Sequence, residues 1–173
     1  MRSVWLYRAL FCVLAIALTF HALLPFGAGE GGAPGPETIV CLIAAWVLRR
    51  PDYVPVWLIL PVLLLDDALL QRPLGLWTLI VLVLSEHLRR RVDPAEAMPV
   101  ASEAALVAGG IAAAFAANHL VLILLLAQTP PLAGQVLHAV ATIVFYPVVA
   151  LVSHLIGVRR LAPGELDSLG TRA

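Results

Sequence analysis

The sequence predicts an all-α, polytopic membrane protein, in which six transmembrane helices form a single integral membrane domain over residues 1–173. Two observations support this fold class. Hydrophobic residues make up 61% of the chain and the mean hydropathy is +0.96, far above the average for a soluble domain. Charged residues make up only 13% of the chain and lie between long apolar blocks. No loop is long enough to contain a separate catalytic domain.

Apolar blocks in chain order predict the helices. A helix that crosses a bilayer needs about 20 predominantly apolar residues. The first, third, fifth and sixth blocks approach or reach that length. The second block, PETIVCLIAAWVL, is short enough to be re-entrant, so the number of crossings depends on it. The six blocks lie near 5–26, 36–48, 53–71, 73–88, 102–128 and 132–157.

Turn and capping residues separate these blocks. The Gly/Pro-rich stretch GAGEGGAPGP leads to Pro36 and Glu37, which suit the first turn of the second helix. Asp52 follows a proline and is a candidate N-cap for the third helix. Pro73 is expected to start the fourth helix, and Gly75 to let the third and fourth backbones approach closely. The stretches RRRVDPAEAMPVAS and QTPPLAGQ separate the last three blocks.

The arginines predict the orientation of the chain, which has eleven arginines and no lysine. If all six blocks cross, only Arg72 lies on one side and the other ten share the opposite side. Because arginine is enriched in cytoplasmic loops, both termini are predicted to lie in the cytoplasm and the protein in the cytoplasmic (inner) membrane. A second block that did not cross would place Arg49 and Arg50 outside, so six crossings are favoured. The ten arginines are Arg2, Arg8, Arg49, Arg50, Arg89, Arg90, Arg91, Arg159, Arg160 and Arg172.

The first block has an alternative interpretation as a secretory signal, since a basic start precedes an apolar middle. That interpretation would leave five crossings. The apolar run is long, however, and FGAGEGGAPG offers only a weak cleavage site. We therefore expect a membrane-spanning helix.

Two adjacent aspartates, Asp66 and Asp67, interrupt the leucine-rich end of the third block in LLLDDALLQRPLG. An acidic side chain within a membrane segment is a functional-site hypothesis by default. Adjacent helical positions point about 100° apart, so the two carboxyls are not expected to share a proton. Either an acid fixes the hairpin at the outer interface, with Arg72 or water as its partner, or a carboxylate in an outward cavity binds a cation or a partner's basic group. The first alternative is preferred.

The fifth block, SEAALVAGGIAAAFAANHL, contains two ridges of small residues at a spacing of four. Small residues at this spacing let helix backbones approach closely in a membrane. The ridges therefore predict either packing within the bundle or docking of a partner's single transmembrane helix. The first ridge is Ala104, Ala108, Ala112 and Ala116, and the second ridge is Ala105, Gly109, Ala113 and Ala117.

No motif in the sequence indicates catalysis or metal binding. There is no G-x-S-x-G, no H-E-x-x-H and no phosphate-binding glycine loop, and the two cysteines and five histidines are scattered over different blocks. We expect no enzymatic activity, no cofactor and no metal, and the lack of a long basic tail argues against nucleic acid as a partner. Glu86 and Glu103 are expected to pair with the arginines at 89–91 and 159–160.

The stretch RRPDYVPVWLILPVLLLDDALLQRPLGLWTL resembles the central hairpin of the rod shape-determining protein MreD family. That family has an Arg-Pro end to the second helix, a Gly-led leucine run that closes with Asp, and a Pro-Leu-Gly opening to the next helix. Counting back from PLG at 73–75, the family's Asp corresponds to Asp67, and Asp66 is an additional acid. Leu63 and Gln71 occupy positions where the family usually has Gly. The resemblance covers the second, third and fourth blocks.

This resemblance implies a non-enzymatic membrane component of the bacterial cell-elongation machinery. Members of the family bind the bitopic periplasmic protein MreC, and through it they link the MreB filament to peptidoglycan synthases. The candidate partner or pocket residues are Asp66, Asp67, Arg72, Pro73 and Gly75.

The family's fold is also similar to the six-helix substrate-binding subunits of energy-coupling-factor vitamin transporters. This similarity implies an alternative function, in which Asp66 or Asp67 lines an outward vitamin pocket. Such subunits commonly carry A-x-x-x-A in the first helix, but the first block here has no pair of alanines at that spacing.

Overall fold

The computed structural model describes residues 2–24, 35–92, 98–126, 129 and 131–158. Within this part of the chain the protein is all-helical, which confirms the predicted class. Six helices follow one another: α1 (Arg2–Leu23), α2 (Thr38–Arg49), α3 (Val56–Leu69), α4 (Leu76–Arg89), α5 (Val100–Leu124) and α6 (Leu132–Leu155).

Three helices are long and apolar enough to cross a membrane, judged by length and composition. They are Val4–Leu23 within α1, Val100–Leu124 and Leu132–Leu155. By contrast, α2, α3 and α4 contain 12, 14 and 14 residues. At a rise of 1.5 Å per residue these helices are about 18–21 Å long, which is less than the roughly 30 Å hydrocarbon core of a bilayer.

The start of α3 differs from the sequence prediction. Asp52 does not cap this helix, because Pro55 is the residue that precedes its first turn. The Asp52 carboxylate instead lies 3.3 Å from Nε of Arg50. The capping prediction for Asp52 was therefore wrong, because the helix begins four residues later and a nearby guanidinium holds the carboxylate.

Helix α2 lies at the centre of the bundle. Every residue from 39 to 48 is buried, as expected for a helix that is apolar on all sides and enclosed by others. The Trp46 ring lies 5.5 Å from the Phe11 ring of α1, centroid to centroid. Its indole Nε1 donates to Oγ of Ser153 in α6 at 3.2 Å.

Helices α2 and α6 run in the same direction. At one end of the pair, the Glu37 backbone N–H donates to Oγ1 of Thr142 at 2.9 Å. At the other end, Trp46 contacts Ser153. Residue numbers therefore increase together along both helices, as an even number of chain reversals between them requires.

Helices α1 and α3 are also parallel to each other. The rings of Trp5 and Trp57 are 6.4 Å apart near the start of both helices. Near their other ends, the Thr19 hydroxyl oxygen lies 2.9 Å from Oδ1 of Asp66. These two parallel pairs, together with the hairpin of α3 and α4, fit a chain that reverses its direction between consecutive helices.

Arginine side chains gather at one end of the bundle, around the connection between α2 and α3. Arg8 and Arg89 donate to backbone carbonyls within 51–54, at distances of 2.8–3.0 Å. Arg49 ends α2 at this connection, which we call the arginine end. Arg72 lies at the opposite end, in the connection between α3 and α4. Arg159, Arg160 and Arg172 lie outside the described residues.

Candidate functional site

Asp67 closes the hairpin between α3 and α4 from the inside. Its side chain is fully buried. Oδ2 accepts hydrogen bonds from the backbone N–H of Gly75 at 3.0 Å, the backbone N–H of Thr78 at 3.2 Å and the Thr78 hydroxyl at 2.8 Å. A carboxylate at a helix N-terminus satisfies unpaired amides and complements the helix dipole. Asp67 therefore fixes α4 on α3 through Gly75 and Thr78, whereas the preferred sequence alternative expected Arg72 or water as the partner of the acid.

Gly75 has a different role from the one predicted. It precedes α4 with φ +86, so it adopts a left-handed conformation that favours glycine. A Cβ built on Gly75 meets no atom within 4 Å, so close approach of two backbones is not what requires glycine here. Pro73 lies before the helix, which starts at Leu76, and the prediction that Pro73 starts α4 was wrong.

Asp66 points away from Asp67 and contacts α1. Its Oδ1 lies 2.9 Å from the Thr19 hydroxyl, and its Oδ2 lies 3.7 Å from Nη1 of Arg72. Asp66 is only 1% exposed, and its Oδ2 has no hydrogen-bond partner. The two adjacent aspartates therefore serve two different contacts, as their angular separation on the helix predicts.

Arg72 connects these acids to α2 and α6 through Glu37. Its Nη2 donates to Oε2 of Glu37 at 2.8 Å, and Nε2 of His138 lies 3.5 Å from the same oxygen. Burial acts to lower the pKa of the Arg72 guanidinium, but the charge and hydrogen bond of Glu37, together with the charges of Asp66 and Asp67, raise it. The guanidinium therefore stays charged within the site.

We define the acidic cluster as Glu37, Asp66, Asp67, Arg72 and His138. Sequence analysis proposed the two aspartates and Arg72, and the structure brings these three together. It missed Glu37 and His138 as members, because their pairing depends on how α2 and α6 pack. One available signal was that Glu37 is the only acid next to the otherwise uncharged second block.

A second polar group lies at the arginine end. Nη1 of Arg49 is 3.1 Å from Oε1 of Glu103, and the Tyr146 hydroxyl donates to the same carboxylate. The predicted partners of Glu103 were Arg89–Arg91 and the arginines at 159–160; Arg49 was not among them, and residues 159–160 lie outside the described part of the chain. A helix-to-helix contact that hydropathy does not encode decides this pairing.

Glu86 behaves as predicted toward the basic run that follows it. Its carboxylate lies 3.5 Å from Nε of Arg89 and 3.2 Å from Nε of Arg90. The contact with Arg90 is solvent-exposed and the contact with Arg89 is partly buried, and ion pairs one helical turn apart contribute little to stability.

The two small-residue ridges of α5 lie on the outside of the bundle. Ala108 is half-buried and the other seven ridge residues are exposed. Contacts of α5 with its own bundle come instead from buried residues such as Val107, Ile111 and Phe115. In this structure most ridge residues are therefore not covered by other helices of the bundle.

The second ridge lines an apolar groove between α4 and α5. The groove has a volume of about 650 Å³, and its α4 side includes Leu79 and Val83. Leu84 of α4 packs against α5 at Gly110, where an added Cβ would lie 2.5 Å from Cδ1 of Leu84. The small side chains of α5 thus leave an open, apolar channel on the surface.

The side chains at these sites can hold helices together and make electrostatic contacts. Across the described ranges, no group of three or more His, Cys, Asp and Glu side chains has a geometry that could hold a metal ion. The acidic cluster joins α1, α2, α3 and α6 through charged and hydroxyl groups, and the groove offers helix-sized apolar surface.

No family model, curated protein or solved structure matches the chain.

Proposed function

We propose that this chain is an integral-membrane scaffold of the bacterial cell-elongation machinery, with the role of the MreD family. In this proposal it acts by helix–helix contacts and not by turnover. It binds the bitopic protein MreC in the cytoplasmic membrane, and MreC links it to the MreB filament and to peptidoglycan synthases.

The central hairpin is the observation that carries this proposal. The resemblance to the family centres on an acid that closes the third helix and a Pro-Leu-Gly opening to the fourth. Asp67, the acid that corresponds to the family's, bonds Gly75 and Thr78 across that connection. A local motif that builds a rigid hairpin suits a scaffold, because its partners need a fixed surface.

The proposal includes six membrane crossings with both termini in the cytoplasm. Its support is that α2 runs parallel to α6, which fits a reversal at each intervening connection. The clustering of Arg8, Arg49 and Arg89 at one end fits the enrichment of arginine on the cytoplasmic side. The short helices α2, α3 and α4 require local thinning of the bilayer or help from flanking residues.

The groove beside the second ridge of α5 is the proposed docking surface for the transmembrane helix of MreC. Glycine and alanine allow another helix backbone to approach closely, so that dispersion contacts can hold it in lipid. Gly109 and Ala113 are exposed in the middle of this ridge. A single membrane-spanning helix is the partner that such a channel fits.

Co-purification of the full-length protein with MreC from detergent-solubilised membranes tests this function. Wild type should retain MreC, whereas Ala113→Leu should lose most of it because the side chain fills the groove. The matched control is Ala133→Leu, the same substitution at an exposed site on α6, which should retain MreC. Depletion of the protein should make rod-shaped cells round.

Two results would count against the proposal. One is equal retention of MreC by wild type and Ala113→Leu. The other is rods of normal shape after depletion.

The transporter alternative predicts an aspartate that lines an outward vitamin pocket. Asp66 and Asp67 are at most 1% exposed and contact residues of their own bundle. This burial favours the scaffold. A vitamin retained through purification would favour the transporter subunit instead.

A further inference from the structure

The acidic cluster contains more carboxylates than cations. Glu37, Asp66 and Asp67 are 7%, 1% and 0% exposed, and Arg72 is the permanent cation beside them among the residues described. The segments that connect α1 to α2 and α5 to α6 contain neither arginine nor lysine. Even a charged His138 would leave one carboxylate in excess. An uncompensated charge is costly in a buried site, so at least one acid is expected to be neutral.

Two of the three acids have surroundings that favour the charged form. Asp67 receives three hydrogen bonds on Oδ2, two from backbone N–H groups and one from Thr78. Glu37 receives a 2.8 Å hydrogen bond from the Arg72 guanidinium. Hydrogen bonds to a carboxylate and a nearby opposite charge both stabilise ionisation.

Asp66 lacks comparable support for a negative charge. Its nearest cation atom is Nη1 of Arg72 at 3.7 Å, and this guanidinium is already engaged by Glu37. The Oδ2 atom of Asp66 is buried without a hydrogen-bond partner. Nearby negative charges on Glu37 and Asp67 disfavour a third one. The excess charge is therefore best removed at Asp66.

The Thr19 hydroxyl supplies an independent geometric argument. Its Oγ1 lies 2.9 Å from Oδ1 of Asp66 and 3.2 Å from the backbone carbonyl of Ala15. A hydroxyl has one proton and can donate to only one of these acceptors. With the Asp66 carboxyl protonated, both contacts are full hydrogen bonds, because Asp66 donates to Thr19 while Thr19 donates to Ala15.

We propose that Asp66 is a proton-binding site, at which a protonated carboxyl links α3 to α1 through Thr19. With the proton bound, consecutive hydrogen bonds run from the Asp66 carboxyl through the Thr19 hydroxyl to the Ala15 carbonyl. Release of the proton to water leaves a carboxylate that competes with Ala15 for the single Thr19 proton and faces Glu37 and Asp67. The contact between α1 and α3 therefore weakens when Asp66 ionises.

Infrared spectroscopy of the purified full-length protein in lipid bilayers tests the protonation directly. Wild type at mildly acidic pH should give the carbonyl stretch of a protonated carboxylic acid, and Asp66→Asn should lose this band. Glu86→Gln is the matched control, because it removes an exposed carboxylate at the arginine end and should keep the band. Thr19→Val retains the acid and should shift the band to higher frequency, since the hydrogen bond from Asp66 is gone.

Thermal unfolding across pH supplies a second measurement. A carboxyl that is protonated in the folded state and ionised in the unfolded state contributes stability that is lost as pH rises. The melting temperature of wild type should therefore fall by more than that of Asp66→Asn as the pH rises from about 4, the ordinary pKa of an aspartate, to neutral. The asparagine can donate to Thr19 as the protonated acid does, so this variant should fold.

Three results would overturn the proposal. They are absence of the carboxylic acid band in wild type, persistence of the band in Asp66→Asn, and equal pH dependence of the two melting temperatures. Repeating the melts with added sodium chloride tests for a different ligand. A rise in the melting temperature of wild type with sodium that is lost in Asp66→Asn would indicate that a cation, in place of the proton, binds at this site.

Discussion

At the scale of single residues, two neighbouring aspartates have separate tasks because a helix turns about 100° per residue. Asp67 faces the start of α4 and accepts three hydrogen bonds there. Asp66 faces α1 and the guanidinium of Arg72. A pair that reads as one acidic motif in the sequence is thus divided between hairpin closure and contact between helices.

Replacement of Asp67 by alanine should lower the free energy of unfolding by about 3 kcal/mol, because hydrogen bonds to a charged group contribute about 1.5–3 kcal/mol and their losses are not additive. Denaturation of the detergent-solubilised protein measures the change. Asp52→Ala serves as the control and should cost less than about 1 kcal/mol, since its ion pair with Arg50 is partly exposed. Equal losses in both variants would contradict the capping role of Asp67.

Gly75→Ala should destabilise the protein by about 1–2 kcal/mol, the cost of a left-handed conformation for a residue with a Cβ. The loss is conformational and not steric, because the space around the added Cβ is open. Gly35→Ala is the control, as it also has open space but no positive φ. Thermal unfolding that is unaffected by Gly75→Ala would argue against the left-handed cap.

The sequence predicted this residue-level site in part. An acid, an arginine and a glycine within ten residues indicated a closed hairpin, because local spacing alone brings such groups together. Glu37 and His138 lie 35 residues or more from Arg72 along the chain. Only the packing of α2 and α6 joins them to the site, and spacing carries no information on that.

At the scale of elements, the contact between α4 and α5 depends on one glycine of an adjacent pair. Gly110→Ala should be less favourable than Gly109→Ala by about 1 kcal/mol, because the added Cβ would force the end of the Leu84 side chain out of its present rotamer. Gly109→Ala should be neutral or stabilise the isolated protein by up to about 1 kcal/mol, since alanine favours helix and meets open space. Thermal unfolding of the two variants, measured side by side, tests this difference. Equal changes in melting temperature would contradict the packing of Leu84 against Gly110.

The face of α5 illustrates why hydropathy cannot orient a helix in a membrane bundle. In a soluble helix, polar residues mark the outer side. In α5 both sides are apolar or small, so its sequence does not distinguish bundle from lipid. The helix itself was predictable from length and composition, whereas its rotation depends on the fit of Val107, Ile111 and Phe115 against neighbouring helices.

At the scale of the whole molecule, the distribution of arginines leads to a prediction about topology. In a variant without Cys12 and Cys41, a membrane-impermeant thiol reagent added outside should label Leu74→Cys but not Arg90→Cys. Both sites are exposed, and they lie beyond opposite ends of α4. Labelling of both cysteines from the outside would contradict the proposed crossing of α4.

The position of α2 at the centre of the molecule has a consequence for biosynthesis. Its main neighbour, α6, is joined to it by bonds between residues 105 and 107 positions apart. The ribosome therefore makes the innermost helix early and its principal cover much later. Until α6 emerges, the Trp46 indole and the Glu37 amide lack their final acceptors. In the proposed six-crossing topology the nascent chain must keep α2 in the insertion machinery or against lipid during that interval, and assembly of the bundle is completed only after translation of α6.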